Sequence, residues 1–281
     1  MPITVQELTP RSTALELEGV SASQVNAIRR TLLSDVPKLA IEDVEFHLGP
    51  IRDEATNKDY DSSTSMFDEA VALRLGLLPI PTDLSQFRRK SECECGGAGC
   101  VHCQVMFSVD KKGPCTVYAK DVVPLGDSSL QILEPEVPIV RLGARQALLA
   151  YMTAVVGTAR DHAKWQVAHG VGMYPRPHVR IAKKEGCSDA CLKRTAGSCP
   201  VKILEFAGGK LSVTDEPKCI LCKACEETCE HGSIKVAADE EAFFLRFDTD
   251  GSLTAREALR FSLKDLKRRF EELREAIQAI P

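Results

Sequence analysis

Four cysteines follow one another as Cys219-x2-Cys222-x2-Cys225-x3-Cys229, a spacing whose chemistry is that of soft-metal ligation. Three thiolates two residues apart wrap a tight loop around three corners of an iron–sulfur cluster, and a fourth, one residue further on, is turned away from them. A lone C-x2-C says little, because zinc uses it freely. The full run is more specific, with zinc and plain structural thiols as its alternatives. A second set, Cys93-x1-Cys95-x4-Cys100-x2-Cys103, brings four thiolates into one short loop, with Gly96, Gly97 and Gly99 permitting sharp turns. Structural zinc closes its tetrahedral sites with four such ligands; an empty loop is the alternative. His102 adjoins Cys103 and reads as a loop residue, and Cys115, alone in sequence, reads as a small buried side chain.

The run from Cys219 resembles that of bacterial-type ferredoxins, in which the fourth cysteine serves the neighbouring cluster. On that pattern Cys229 leaves the first three, and the Cys199-Pro200 pair supplies the missing ligand. Cys199, Cys219, Cys222 and Cys225 are therefore the expected set for one [4Fe–4S] cluster, or for a [3Fe–4S] form if Cys199 lies too far away. The other half departs from the pattern. Asp189, Leu192 and Thr195 stand where a regular first motif has cysteines, and Glu230 and His231 follow Cys229 where a proline is usual. Cys187, Cys191 and Cys229 are left either as ligands of a second, three-iron or incomplete cluster, or as a degenerate site of free or disulfide-linked thiols.

Composition bounds the rest. The chain has 281 residues, 44% hydrophobic and 27% charged, which suits two or three soluble domains. A net charge of −4 and a single tryptophan argue against wrapping or direct readout of DNA. No stretch approaches the roughly 20 apolar residues needed to span a bilayer. The N-terminus has neither the charged nor the apolar region of a secretion signal, so the cytoplasm is the expected location. Twelve cysteines in that reducing setting read as metal ligands more readily than as disulfides. Dinucleotide, P-loop, G-x-S-x-G and H-E-x-x-H motifs are absent, and no catalytic residue is assigned.

The elements that must carry these groups are partly legible. Leu15, Glu16, Leu17 and Glu18 alternate as a strand ending at Gly19. Ser21 and Gln24 have capping-box spacing ahead of a helix through Val25, Ile28 and Leu32 that stops before Pro37. A second strand places Val44, Phe46 and Leu48 on one face, residues 50–65 read as a polar surface loop, and 67–78 as a helix ended by Pro79 and Pro81. Strands are expected near 104–109 and 115–123, a helix or loop-helix over 143–160, and an irregular connector around Gly170, Gly172, Pro175 and Pro177. Phe243–Phe247 reads as a strand and Asp250-Gly251 as a turn. Thr254 and Glu257 then form a capping box, with Leu253 placed for a hydrophobic staple. Leu259, Leu263, Leu266, Phe270, Leu273 and Ile277 recur at alternating spacings of four and three, a coiled-coil seam. That seam packs either on the chain's own sheet or on a helix of a partner.

Several segments outside the cysteines resemble one family. NAIRRTLLSDVPKLAIEDVEF (Asn26 to Phe46) and FDEAVALRLGLLPIPTD (Phe67 to Asp83) are similar to the two hallmark segments of the alpha-like assembly subunits of cellular RNA polymerases. HAKWQVA (His162 to Ala168) and DGSLTAREAL (Asp250 to Leu259) fit as well. The cysteine loop sits where eukaryotic relatives carry zinc, and a ferredoxin-like insertion before the last strand and helix is a feature of the archaeal D subunits. The resemblance implies an α+β fold. A discontinuous dimerisation domain (1–41 and 237–281) would be interrupted by a mostly-β insert (42–182) and by a ferredoxin-like domain (183–236). It also implies partners: the small alpha-like subunit L against the seam, the small zinc-binding subunits N and P, and the two large catalytic subunits. Arg29 and Arg30 would face a large subunit, while Asp68, Glu69 and Arg74 would be structural or interfacial. Trp165 would be a packing anchor. The rival reading is a ferredoxin-like electron carrier or an oxidoreductase subunit.

Overall fold

Residues 2–53, 57–182, 185 and 187–280 are described by a computed structural model of the chain, an α+β structure with more strand than helix. Residues 54–56 of the expected loop lie outside the described residues, as do Lys183, Lys184 and Gly186 at the start of the ferredoxin-like segment. The helices among the described residues are α1 (Ala22–Ser34), α2 (Asp68–Gly76), α3 (Asp189–Gly197), α4 (Ala224–Thr228) and α5 (Ala255–Gln278). The chain divides into two compact units. One comprises Met1–Gln6, Ala14–Asn26 and Gly172–Arg246; the other Glu7–Thr13, Ala27–Val171 and Phe247–Pro281.

The strand Ser12–Glu18 alternates as its sequence dictates, with Leu15 and Leu17 buried. It lies in a four-stranded sheet ordered Ile3–Leu8, Ser12–Glu18, Ile234–Thr249, Ala168–Ile181. Ala168–Ile181 is a strand where the sequence suggests a connector, and the sheet order explains the error. It lies at the edge, where prolines such as Pro175 and Pro177 can be tolerated without breaking a ladder on both sides. Further along the first unit, Leu204–Ala207 and Lys210–Val213 pair through Gly208 and Gly209, both left-handed (φ 58° and 75°) as a two-residue hairpin turn requires. Leu192, Ile203, Leu204, Leu211, Ile234 and Val236 form a small core there together with four buried cysteines.

The second unit is built on the sheet Lys38–Phe46, Ala147–Gly157, Gln104–Lys112, Val123–Pro124. Ala147–Gly157 is one of its two inner strands, antiparallel to both neighbours, where the sequence suggests a helix or loop-helix. A strand buried between two others reads as a continuous apolar run, which periodicity does not separate from a buried helix. Met152 faces Val44 on one side and Phe107 on the other. Two further readings change. Leu48 is exposed beyond the end of its strand, and the stretch from 50 contains the paired strands Pro50–Asp53 and Lys58–Asp61. Leu39, Ile41, Val71, Leu75, Phe107 and Ile139 anchor the core. Trp165 is buried on Ala40 and Val155 and donates its Nε1–H to the Val155 carbonyl at 3.1 Å.

Both expected capping boxes form. The Ser21 N–H donates to Gln24 Oε1 at 2.8 Å and the Gln24 N–H to Ser21 Oγ at 3.4 Å. At the start of α5 the Thr254 N–H donates to Glu257 Oε2 at 2.9 Å, and the Glu257 N–H returns to Thr254 Oγ1 at 3.2 Å. Each pair satisfies donors that a helix start leaves without partners.

Candidate metal centres and an exposed helix seam

The loop of Cys93, Cys95, Cys100 and Cys103 closes on itself. Gly96 and Gly99 adopt left-handed backbone (φ 64° and 90°), and the four sulfurs gather within 4.8 Å of one another. Cys93 and Cys100 are 3.5 Å apart, Cys95 and Cys103 3.6 Å, and Cys100 and Cys103 3.9 Å. Ligands about 2.3 Å from a tetrahedral zinc stand about 3.8 Å from each other, so the set fits a single ion. The Cys100 N–H donates to Cys103 Sγ at 3.2 Å, the kind of bond that orients a thiolate ligand. The protons divide unevenly between Cys93 and Cys95. At Cys93 the Cys95 backbone N–H favours the thiolate, but crowding by the Cys95, Cys100 and Cys103 sulfurs outweighs it and the thiol is pushed up to about 12. Cys95 falls to about 6, lowered first by Cys93 and then by the Gly99 N–H. A dication would remove that mutual repulsion. His102 is exposed and outside the group, its carbonyl taken by the Arg88 N–H at 2.9 Å.

Cys199, Cys219, Cys222 and Cys225 line one small cavity whose other walls are mostly apolar, Ile203, Leu204, Ile220 and Val236 among them. Burial first, then the neighbouring Cys199 and Cys222, hold the Cys219 thiol up against the Leu221 N–H. Burial first, then Cys219 and Cys199, do the same at Cys225. Yet no three of these sulfurs gather within the 4.8 Å that the zinc-type loop shows. The four are therefore not gathered as the ligands of a single ion would be. Leu221 and Lys223 are left-handed (φ 57° and 59°), a conformation costing a side-chain-bearing residue about 1–2 kcal/mol. Such strain persists at sites that the surroundings enforce. Cys222 is the exposed corner, and Cys225 is buried.

Cys187, Cys191 and Cys229 also come together, all three buried and mutually within 4.8 Å. Cys191 lies in the first turn of α3, whose N-cap Ser188 accepts the Cys191 N–H at 3.2 Å. Burial, then Cys187 and Cys229, push the Cys191 thiol up. At Cys229 burial is outweighed by backbone N–H groups of Ser233 and His231, and the thiol is lowered. Cys115 is half-buried and donates to the Lys112 carbonyl at 3.4 Å.

The last helix presents its seam outward. Inside the chain α5 packs through Ala255, Ala258, Ser262 and Asp265. Of the seam residues, Leu259 and Leu266 are half-buried and Leu263 is exposed, while Phe270, Leu273 and Ile277 are 64%, 54% and 58% exposed. Arg269 holds Asp265 at 2.6 Å and Asp35 at 2.8 Å, tying the middle of the helix to the end of α1. On α1, Arg29 is half-buried and Arg30 exposed. Asp68 and Glu69 occupy the first turn of α2, and Arg74 donates to the Ile139 carbonyl at 2.8 Å, a structural tether. The sequence did not reveal that Phe67, Leu73 and Leu77 are 85%, 57% and 54% exposed. The available signal was a second apolar stripe, Leu73 and Leu77 one turn apart, beside the buried Val71 and Leu75. No helix among the described residues is long and apolar enough to cross a membrane.

Residues 14–270 match the RNA polymerase Rpb3/Rpb11 dimerisation domain. The chain is 40% identical to the DNA-directed RNA polymerase subunit Rpo3 of Thermoplasma volcanium, over 99% of both chains. It is 38% identical to the same subunit of Picrophilus torridus, over 98% of this chain and 99% of the relative. With that of Methanosarcina acetivorans the identity is 36% over 97% of each.

Proposed function

Because the chain belongs to the RNA polymerase Rpb3/Rpb11 dimerisation family, we propose that it is the D-type, non-catalytic assembly subunit of an archaeal DNA-directed RNA polymerase. The observation that carries this reading is the C-terminal part of the α5 seam, where Phe270, Leu273 and Ile277 are left in solvent by their own chain. A periodic row of large apolar side chains on a capped helix is unfavourable in water unless a second helix covers it. The small alpha-like subunit L is the partner proposed for that face. The heterodimer, with N and P, is the platform for the two large subunits. The exposed Phe67, Leu73 and Leu77 and the Arg29–Arg30 pair are the surfaces proposed to meet a large subunit.

Metal in this reading is structural. Cys199, Cys219, Cys222 and Cys225 would hold a [4Fe–4S] cluster, and the Cys93–Cys103 loop a zinc ion. Each would supply folding free energy to a segment with little core of its own. The full-length likeness to polymerase subunits speaks against the electron-carrier alternative.

Capture from native extract under anaerobic conditions tests the proposal. The large polymerase subunits and L should be recovered with the chain. Recovery of a flavoprotein or other redox partner without polymerase subunits refutes it.

A further inference from the structure

We propose that Cys187, Cys191 and Cys229 form a mononuclear site for a thiophilic divalent cation, zinc by preference, in place of a second iron–sulfur cluster. The inference rests on spacing. The three sulfurs lie mutually within 4.8 Å, and ligands about 2.3 Å from one tetrahedral ion stand about 3.8 Å apart. The four cysteines assigned to the cluster, in the same unit, fail that criterion although they line a common cavity. Two kinds of thiolate site therefore lie side by side in sequence, one open around a cage and one closed around a point.

The surroundings suit a bound ion. All three cysteines are buried, and the Ser233 N–H donates to Cys229 Sγ at 3.2 Å, orienting that ligand as a supporting hydrogen bond does. Cys191 sits in the first turn of the nine-residue α3, its N–H donated to the N-cap Ser188 Oγ at 3.2 Å, which fixes the backbone that carries the ligand. Thr195 Oγ1 donates to the Cys191 carbonyl at 3.0 Å and is itself buried, so the turn bearing the ligand is held in place. Binding would exchange three thiol protons for one dication, leaving a centre of net charge −1 and a fourth position for water or an added thiolate.

The test is iron and zinc quantification on the anaerobically purified full chain, with Cys229→Ser and Cys100→Ser variants alongside. The wild type is expected to hold about four irons and two zincs per chain. Cys229→Ser should lose one zinc and keep the irons and their visible absorbance, and Cys100→Ser should lose the other zinc. Seven or eight irons, or loss of iron from Cys229→Ser, would overturn the proposal in favour of a second cluster. One zinc in the wild type, with a disulfide found by alkylation without reductant, would overturn it in favour of a cross-link. Because the wild-type stoichiometry is decisive by itself, a variant that fails to fold does not shield the proposal. Absence of iron with two zincs present would defeat the cluster at Cys219–Cys225 while leaving this site standing.

Discussion

Truncating Phe270 to alanine should weaken association with the small alpha-like subunit while leaving the chain's own stability nearly unchanged. Full burial of a large apolar side chain contributes about 1.5–3 kcal/mol. Phe270 keeps 64% of its surface in solvent and Ile277 58%, so about half to two-thirds of that gain, about 1–2 kcal/mol each, remains for a partner to realise. Phe270→Ala should therefore raise Kd by roughly 5- to 30-fold. The two residues lie two turns apart, about 10 Å along the helix, far enough for their effects to add. Phe270→Ala with Ile277→Ala should then cost about 2–4 kcal/mol, or roughly 30- to 1,000-fold in Kd. The helix itself should persist, because alanine is the best helix former and its internal packing runs through Ala255, Ala258, Ser262 and Asp265. Titration calorimetry against the purified partner reads the affinity, and thermal unfolding of the chain alone reads the stability. An exposed substitution is worth within about 0.5 kcal/mol, so Tm should move by no more than about 2 °C. A fall of several degrees with unchanged affinity would show instead that the seam is covered by its own chain.

Other outcomes follow from the same structure. Cys222→Ser, at the exposed corner of the cluster set, should abolish the visible absorbance of thiolate-bound iron and leave zinc content intact; iron retained at the wild-type level would exclude Cys222 as a ligand. Anaerobic chelation of iron and zinc should raise amide exchange across residues 187–236 before the Ala147–Gly157 strand loses protection, and simultaneous loss would argue against a locally structural role. Asp239 is held at about 2, below its ordinary 3.8, first by the Glu241 N–H, then by His178 and Arg176. A depressed carboxylate contributes stability that is present above its unfolded value and lost as pH falls through its folded one, so denaturant midpoints should decline between about pH 4 and pH 2. Asp239→Asn should flatten that acid limb, and an unchanged slope would remove Asp239 as its source. Gly157→Ala would set a Cβ 2.4 Å from the buried Trp165 ring, an overpacking expected to cost about 1–3 kcal/mol; a wild-type Tm would show that the indole can move aside.

The chemistry-bearing residues were more legible than the scaffold. Cysteine spacing is local, so the gathering of Cys93, Cys95, Cys100 and Cys103 could be anticipated directly, as could the caps at Ser21 and Thr254. What escaped depends on partners distant in sequence. Ala147–Gly157 owes its strand character to pairing with Lys38–Phe46 and Gln104–Lys112 at once, and no window of its own sequence records those neighbours. The prolines of Ala168–Ile181 read as breaks until its place at a sheet edge is known. The separation of Cys229 from Cys187 and Cys191 in sequence likewise hid how closely the three sulfurs approach one another.

The small scale of the elements near the cysteines argues for metal as their organiser. α3 has nine residues, α4 five, and the hairpin strands four each. Helices this short are marginal in isolation, and a lone two-stranded hairpin is barely stable. The apolar residues fully buried among them, Leu192, Ile203, Leu204, Leu211, Ile234 and Val236, share that small core with Cys187, Cys191, Cys225 and Cys229. The cysteines thus occupy positions that larger side chains would fill in a conventional core. Left as thiols they would fill little volume, and the left-handed Leu221 and Lys223 would carry strain with nothing to hold it. Thiolate–metal bonds can supply on the order of 10 kcal/mol to such a segment, more than its few apolar contacts can spare after chain entropy is met. The metal proposed for these sites would on this reading be part of the fold, and the surface proposed for partners is the exposed end of α5.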